Sequence, residues 1–257
     1  MYNSYFKKRA ILKTQAEIEL LRKANAIVME VLFRLKEEVR PGVSTWEFEE
    51  LALILCEKRG VKPAFKGYRG YPYALCVSIN EEIVHGMPKK DKILKEGDIV
   101  SFDFGVIYEG YVGDAALTVG VGKVSEKAER LMRVTEEALY KGIEKAHFGN
   151  KIGDISFAIQ SHVEKYGFNV IREFVGHGVG RSLHEPPEVP NWGRPGRGPK
   201  IEVGMVLAIE PMVSAGDYRV EILLDGWTAV TKDRSLAAHF EHSVAITPNG
   251  PEILSKV

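Results

Sequence analysis

A shift of 107 residues lays the second half of this chain onto the first. It pairs Gly42 with Gly149, Gly60 with Gly167 and Gly97 with Gly204, carries Glu57-Lys58 onto Glu164-Lys165, and ends with Asp103 over Glu210. Landmarks that keep one register without a gap mark a diverged internal duplication. Chance among common glycines is the plainer alternative, but it leaves the acidic match unexplained. A duplicated chain of this kind folds into two related lobes, about 14–120 and 121–254, behind a short N-terminal arm of residues 1–13. Carried further, the shift sets Asp114 over Glu221; insertions in the second half break the symmetry there, and Glu221 is expected on an exposed face or behind the ligands.

Each lobe opens with a helix pair. Ile18, Leu21, Ala24, Val28, Val31, Leu32 and Leu35 recur at helical spacing behind Thr14, with Glu17 three residues on as a capping box. After Pro41-Gly42 a second box, Ser44 and Glu47, starts a helix carried by Phe48, Leu51, Ile54 and Leu55 to Gly60. In the second lobe Ala128, Leu131, Val134, Ala138, Leu139 and Ile143 follow Ser125, and Ile155, Ala158, Ile159 and Val163 run to Gly167.

Between the pairs lies a hairpin. Ile99 to Val106 and Tyr111 to Val119 read as strands about a turn near Tyr108-Glu109-Gly110, and folding at the Tyr108–Glu109 bond sets Asp103 opposite Asp114. Like charges facing each other on a sheet repel, and in a partly buried site one pKa should rise. A bound cation removes that conflict. Further donors come from the second lobe. His177 and His184 sit in the glycine-rich stretch Gly176 to Pro187, Glu210 in an apolar strand from Met205 to Val213, and Glu241 in a strand from Leu236 to Thr247. An acid within a buried strand is costly unless paired or coordinated. Alternation puts His239 on the face of Glu241, beside the ligand or toward solvent, and leaves His242 on the opposite face as a packing or hydrogen-bonding residue. The aromatic loop Phe65 to Tyr73, taken alone, more often covers a core edge than lines a pocket. Asn191 to Lys200, with three glycines and two prolines, reads as a surface loop.

Composition narrows the partners. Lys plus Arg and Asp plus Glu are 35 each, so net charge argues for neither nucleic acid nor an anionic membrane. No apolar run reaches the ~20 residues of a membrane span. Met1 to Arg9 lacks the apolar core of a secretory signal, and Cys56 and Cys76 read as reduced thiols of a cytoplasmic protein.

The donors Asp103, Asp114, His177, Glu210 and Glu241, in this order and with the flanks Gly97-Asp98-Ile99-Val100, Gly176-His177-Gly178-Val179-Gly180-Arg181, Ala208-Ile209-Glu210-Pro211-Met212-Val213 and Thr231-Lys232-Asp233-Arg234-Ser235, resemble type I methionine aminopeptidases. The resemblance runs from about Thr14 to Leu254. It implies an α+β pita-bread fold, a curved antiparallel sheet flanked by two pseudo-twofold-related helix pairs, in a single catalytic domain. It further implies two divalent ions per chain, Co, Fe, Mn or Zn, bridged by Asp114 and Glu241, with Asp103 completing one site and His177 and Glu210 the other. A water or hydroxide between the ions would attack the first peptide bond, with Glu210 taking its proton, His85 meeting the peptide nitrogen and His184 the carbonyl oxygen. Phe65, Tyr68, Tyr71, Cys76, Leu183 and Trp227 match the methionine pocket. Phe65 and Leu183 differ in bulk from other members, and Arg69 stands where histidine is frequent. Expected substrates are N-terminal Met peptides and nascent chains with small second residues, met at the ribosome by a cytoplasmic monomer.

Three other readings use the same donors. Proline-specific peptidases of this fold usually carry an extra N-terminal domain, for which a first helix at Thr14 leaves no room. A non-catalytic binding relative should have lost ligands, and all five stand here with His85 and His184. A two-metal phosphoesterase would not need the apolar pocket around Trp227.

Overall fold

A computed structural model describes residues 9–256; the reading of residues 1–8 as lacking a signal segment lies outside them. The first lobe runs through helices α1 (Gln15–Glu37) and α2 (Thr45–Arg59) and strands β1 (Lys62–Pro63), β2 (Leu75–Ile79), β3 (Glu82–Val84), β4 (Ile99–Tyr108) and β5 (Tyr111–Gly120). The second holds α3 (Glu126–Ile143), α4 (Ile152–Lys165), β6 (Asn169–Val170), β7 (Gly176–Gly178), β8 (Glu185–Val189), β9 (Val206–Ile209) and β10 (Met212–Ser214). It continues through β11 (Val220–Ile222), β12 (Ala229–Thr231), β13 (Ala237–His239), β14 (His242–Thr247) and β15 (Gly250–Ile253).

Both capping boxes form. The Thr14 and Ser44 hydroxyls accept from the Glu17 and Glu47 amides, and the glutamates accept from the cap amides in return. In α2 the buried face is Thr45, Phe48, Glu49, Ala52 and Cys56, whereas Ile54 is 48% exposed. That corrects the expected stripe at Ile54, while Phe48 is buried and Leu51 and Leu55 pack partly buried against the core as expected: Glu49 turns inward because its carboxylate accepts from the Ala74 and Leu75 amides, and a hydrogen-bonded carboxylate can occupy a core position.

The duplication is written into the backbone. Gly42 and Gly149 share φ +91°, as do Gly97 and Gly204, and Gly60 and Gly167 stand at +65° and +78°. Only glycine adopts that left-handed region without strain, so the matched glycines are matched turns. Each helix pair packs on its own antiparallel sheet. α1 and α2 bury Leu32, Phe48, Phe102 and Phe104 against β2 and β4, while α3 and α4 bury Leu131, Ile155, Leu207 and Val244 against β9 and β14. The sheets meet where Glu241 and Ala116 exchange backbone hydrogen bonds.

Register departs from expectation in the central hairpin. Tyr108 pairs with Tyr111 around a two-residue Glu109-Gly110 turn, both central residues having positive φ, as the right-handed strand twist favours. Asp103 therefore faces Ala116 and Asp114 faces Gly105, which corrects the direct opposition of the two acids. A slip of two residues preserves the face of every side chain, so they remain diagonal neighbours. The two long strands expected around Glu210 and Glu241 are each broken. Pro211 offers no amide to a ladder, and the Glu241 amide turns to Ala116 of the other lobe. Outside the break one register holds, with Ile209 on His242 and Met212 on His239.

Symmetry ends after β10 because residues 215–236 make an excursion in which β11 pairs with β12 and β12 with β3. Glu221 lies there, exposed and paired with Arg234 at 2.8 Å, outside the acid cluster. Asn191 corrects the surface-loop reading at its first residue, being fully buried with its amide donating to the Glu210 carbonyl.

Helix α1 lies directly on β5 at Gly113. A Cβ there would stand 2.6 Å from the Ala24 carbonyl carbon and 2.7 Å from the Asn25 nitrogen. Overpacking of this kind costs about 2–3 kcal/mol, so Gly113→Ala should lower the midpoint of thermal unfolding by roughly 5–10 °C. Calorimetry tests this, and an unchanged midpoint would mean that α1 can ride away from the sheet.

Candidate active site

Every residue singled out for chemistry lines one cavity of about 370 Å³ between the lobes. Asp103 comes from β4, Asp114 from β5, His177 from β7, and Glu210 and Glu241 from the two strand breaks. One donor atom each from Asp114, His177 and Glu241 lies within 4.8 Å of the others. The His177 Nε2 is 3.3 Å from Glu210 Oε1 and 3.8 Å from Asp114 Oδ2. The same cavity is lined by Phe65, Tyr71, Cys76, Leu183 and Trp227 and by His85, Tyr68 and His184; Cys76 is the direct cross-strand partner of Asp103, so the apolar wall begins beside the acids.

Backbone contacts hold the acids in place. The Asp114 amide donates to Asn25 Oδ1 at 3.2 Å, and Ser243 Oγ donates to the Asp114 carbonyl at 2.8 Å. Asn191 clasps the Glu210 carbonyl at 2.9 Å. These supports were not read from the sequence. Asn25 left a trace, an amide on the apolar stripe of α1 beside Leu21 and Val28; Asn191, in a loop without periodicity, left none. His177 Nδ1–H donates to the Gly178 carbonyl at 2.9 Å, which leaves the Nε2 lone pair facing the acids.

Burial sets the electrostatics. Desolvation raises all four carboxyls: Asp103 to about 7, with Glu210 adding and His239 opposing, and Glu210 to about 7, opposed by His177. Asp114 and Glu241 rise well above the carboxylate range, from burial and then from the neighbouring acids. His239 is 1% exposed, with Nε2 3.6 Å from Glu210 Oε2. It lies beside the acids, so of the two readings the solvent-facing one is excluded. His242 bonds Ser255 at 2.8 Å, away from the acids, as expected of a hydrogen-bonding residue.

The donor set fits divalent cations. Among the described residues, Asp114 Oδ1, Glu241 Oε1, both ring nitrogens of His239 and Asn191 Oδ1 are buried polar atoms without a hydrogen-bond partner, and the first two belong to the acid cluster. Buried polar atoms normally find partners, and carboxylate oxygens gathered around one imidazole suit Mn, Fe, Co or Zn.

Two neutral imidazoles flank the acids. Burial, then His239, pushes His85 down to about 4; burial, then His177, Arg69 and His85, pushes His184 to about 2. His184 Nδ1 lies 2.8 Å from the Tyr68 hydroxyl, its ring stacked on Tyr68 at 5.2 Å and 4.2 Å from that of His177. Tyr71 meets Trp227 edge-on at 5.1 Å and is anchored by its hydroxyl to the Leu75 and Gly86 carbonyls. The aromatic loop is thus a pocket wall as well as part of a core, since Phe65, Tyr71, Cys76 and Leu183 belong to one buried cluster. Arg69 is exposed, with its guanidinium 5.4 Å from the centre of the Tyr68 ring.

Among known proteins, the profile of metallopeptidase family M24 matches residues 19–248. A methionine aminopeptidase of Clostridium perfringens is 57% identical over 247 residues, 96% of this chain and 99% of that one. The crystal structure of a methionine aminopeptidase from Thermotoga maritima superposes with a TM-score of 0.95 at 54% identity, covering 97% and 100% of the two chains. A prolidase from Pyrococcus horikoshii superposes at 0.79 with 25% identity, over 96% of this chain but 64% of the prolidase.

Proposed function

The chain belongs to metallopeptidase family M24 and, within it, to the methionine aminopeptidases, and from that premise we propose that it removes the N-terminal methionine of peptides whose second residue is small. The observation that carries this reading is that one cavity holds together an acid cluster with orphaned oxygens, an apolar, aromatic wall and two neutral histidines.

In this reading Asp103, Asp114, His177, Glu210 and Glu241 would together hold the divalent cations. Bound there, divalent cations supply Lewis acidity, lowering the pKa of water toward neutrality and polarising the scissile carbonyl. Glu210 takes the proton of the attacking water and passes it to the departing amine. With the Tyr68 hydroxyl donating to Nδ1, His184 keeps its own proton on Nε2 and donates it as a hydrogen bond to the carbonyl oxygen as negative charge develops. His85, neutral at pH 7, meets the peptide nitrogen. The free amino group sits toward Asp103, so that only the first peptide bond reaches Glu210. The methionine side chain fills the slot of Phe65, Tyr71, Cys76, Leu183 and Trp227, with Tyr68 at its rim, where sulfur–aromatic contact is favourable.

On the family resemblance alone the proposal extends to nascent chains at the ribosome as substrates and to a cytoplasmic monomer of one catalytic domain. Among the described residues no helix is long and apolar enough to cross a membrane.

The direct test incubates the protein with Met-Ala-Ser and Co, Fe, Mn or Zn in turn. Methionine and Ala-Ser should be the products; release of free alanine would contradict an exopeptidase limited to the first residue. A second test addresses the slot. Trp227→Ala should reduce the preference for Met-Ala-Ser over Leu-Ala-Ser roughly tenfold in kcat/KM, the scale on which apolar pockets discriminate. An unchanged ratio would move the specificity wall elsewhere.

A further inference from the structure

Among the described residues one buried ion pair remains without a role, and its acid, Glu185, also lines the cavity. Lys13, in the arm ahead of α1, is 3% exposed at its side chain and places Nζ 2.6 Å from Glu185 Oε2. Glu185, 4% exposed at its side chain, directly follows His184 in the chain and opens β8. Its other oxygen accepts from the Ser182 amide at 3.1 Å, inside the turn that carries Leu183 and His184. The Lys13 ammonium also donates to the Ile11 carbonyl at 2.8 Å, and the Lys13 amide donates to the Gly204 carbonyl at 2.7 Å. The lysine is thus held on both sides before it reaches the glutamate. Gly180 leaves the space the pair needs, since a Cβ there would lie 2.6 Å from Glu185 Oε1 and 2.6 Å from Lys13 Cε.

A buried ion pair adds little stability over an apolar pair of the same shape, so its effect here is directional. The turn from Val179 to His184 is fastened to the first lobe by the Val112 amide donating to the Gly180 carbonyl at 2.8 Å, and at its far end by Glu185. Releasing Glu185 frees the peptide unit that aims the His184 ring between Tyr68 and His177. The geometry points to Lys13 as a positioning residue for His184, acting through Glu185, an inference that rests on the part proposed for His184 above. Misplacement of a hydrogen-bonding group by about 1 Å can reduce turnover 100-fold.

The test is a double-mutant cycle on the manganese-loaded enzyme with Met-Ala-Ser. Lys13→Met should reduce kcat roughly 10- to 100-fold with little change in KM and an unaltered Mn affinity by calorimetry. Lys13→Arg, which keeps the pair, should recover most of the loss. In a His184→Ala background Lys13→Met should cost nothing more, because two residues acting as one unit are not additive. Lys13→Gln repeats the cycle with a residue able to donate to Glu185, so that failure of the Met variant to fold does not decide the matter. Multiplicative losses in the cycle, or parental kcat in both uncharged variants, would overturn the inference. Parental kcat in His184→Ala would instead remove the role of His184 itself.

Discussion

Glu210→Gln is expected to fold like the parent protein and to hydrolyse Met-Ala-Ser about 10³-fold more slowly. Glutamine fills the same space and its backbone carbonyl still accepts from Asn191, so the strand break survives. It cannot carry the proton that Glu210 is proposed to accept, and positioned proton transfer contributes ~10²–10⁴-fold. Single-turnover assays at saturating metal separate this role from ligation: turnover within about tenfold of the parent at equal metal occupancy would reject Glu210 as the proton carrier, a scale below the range cited.

Removal of cations should have an effect as large on turnover and a second effect on stability. A chelator-treated sample should release no methionine, and activity should return with added Mn or Co. In that stripped protein Asp103 rises from 3.8 to about 7 and Glu210 from 4.5 to about 7 on folding, chiefly by desolvation. The folded state therefore binds protons that the unfolded chain releases. Their stabilising contribution is complete below about pH 4 and is lost as pH rises through 7. At 1.36 kcal/mol per pKa unit the two groups together amount to about 5 kcal/mol between pH 5 and 8, a fall of roughly 10–20 °C in thermal midpoint. Cation binding neutralises the same carboxylates and should flatten that dependence. A stripped protein equally stable at both pH values would show that burial does not raise these acids.

The helices were legible where local rules act alone. Thr14 with Glu17 and Ser44 with Glu47 cap the helices they announce, because a cap involves only neighbours in sequence. The face of α2 was misread at Ile54, since what turns Glu49 inward is the pair of amides at Ala74 and Leu75, remote in sequence. In the hairpin the parity of Asp103 and Asp114 was legible and the register was not: a two-residue slip leaves the apolar pattern unchanged, and the positive φ of Glu109 and Gly110 decides it. Asn191 and the Lys13–Glu185 pair join residues with no periodic relation at all.

By itself, then, the sequence determined the inventory: two duplicated lobes, their capped helices, and the acids and histidines placed on alternating strand faces at matching positions. It could do so because periodicity, capping and turn chemistry depend on near neighbours. Only the tertiary structure decided that residues as distant as Asp103 and Glu241 share one desolvated space. Carboxyl protonation, the direction of each imidazole and the shape of the methionine slot are properties of that space, set by how the two sheets meet at Ala116 and Glu241.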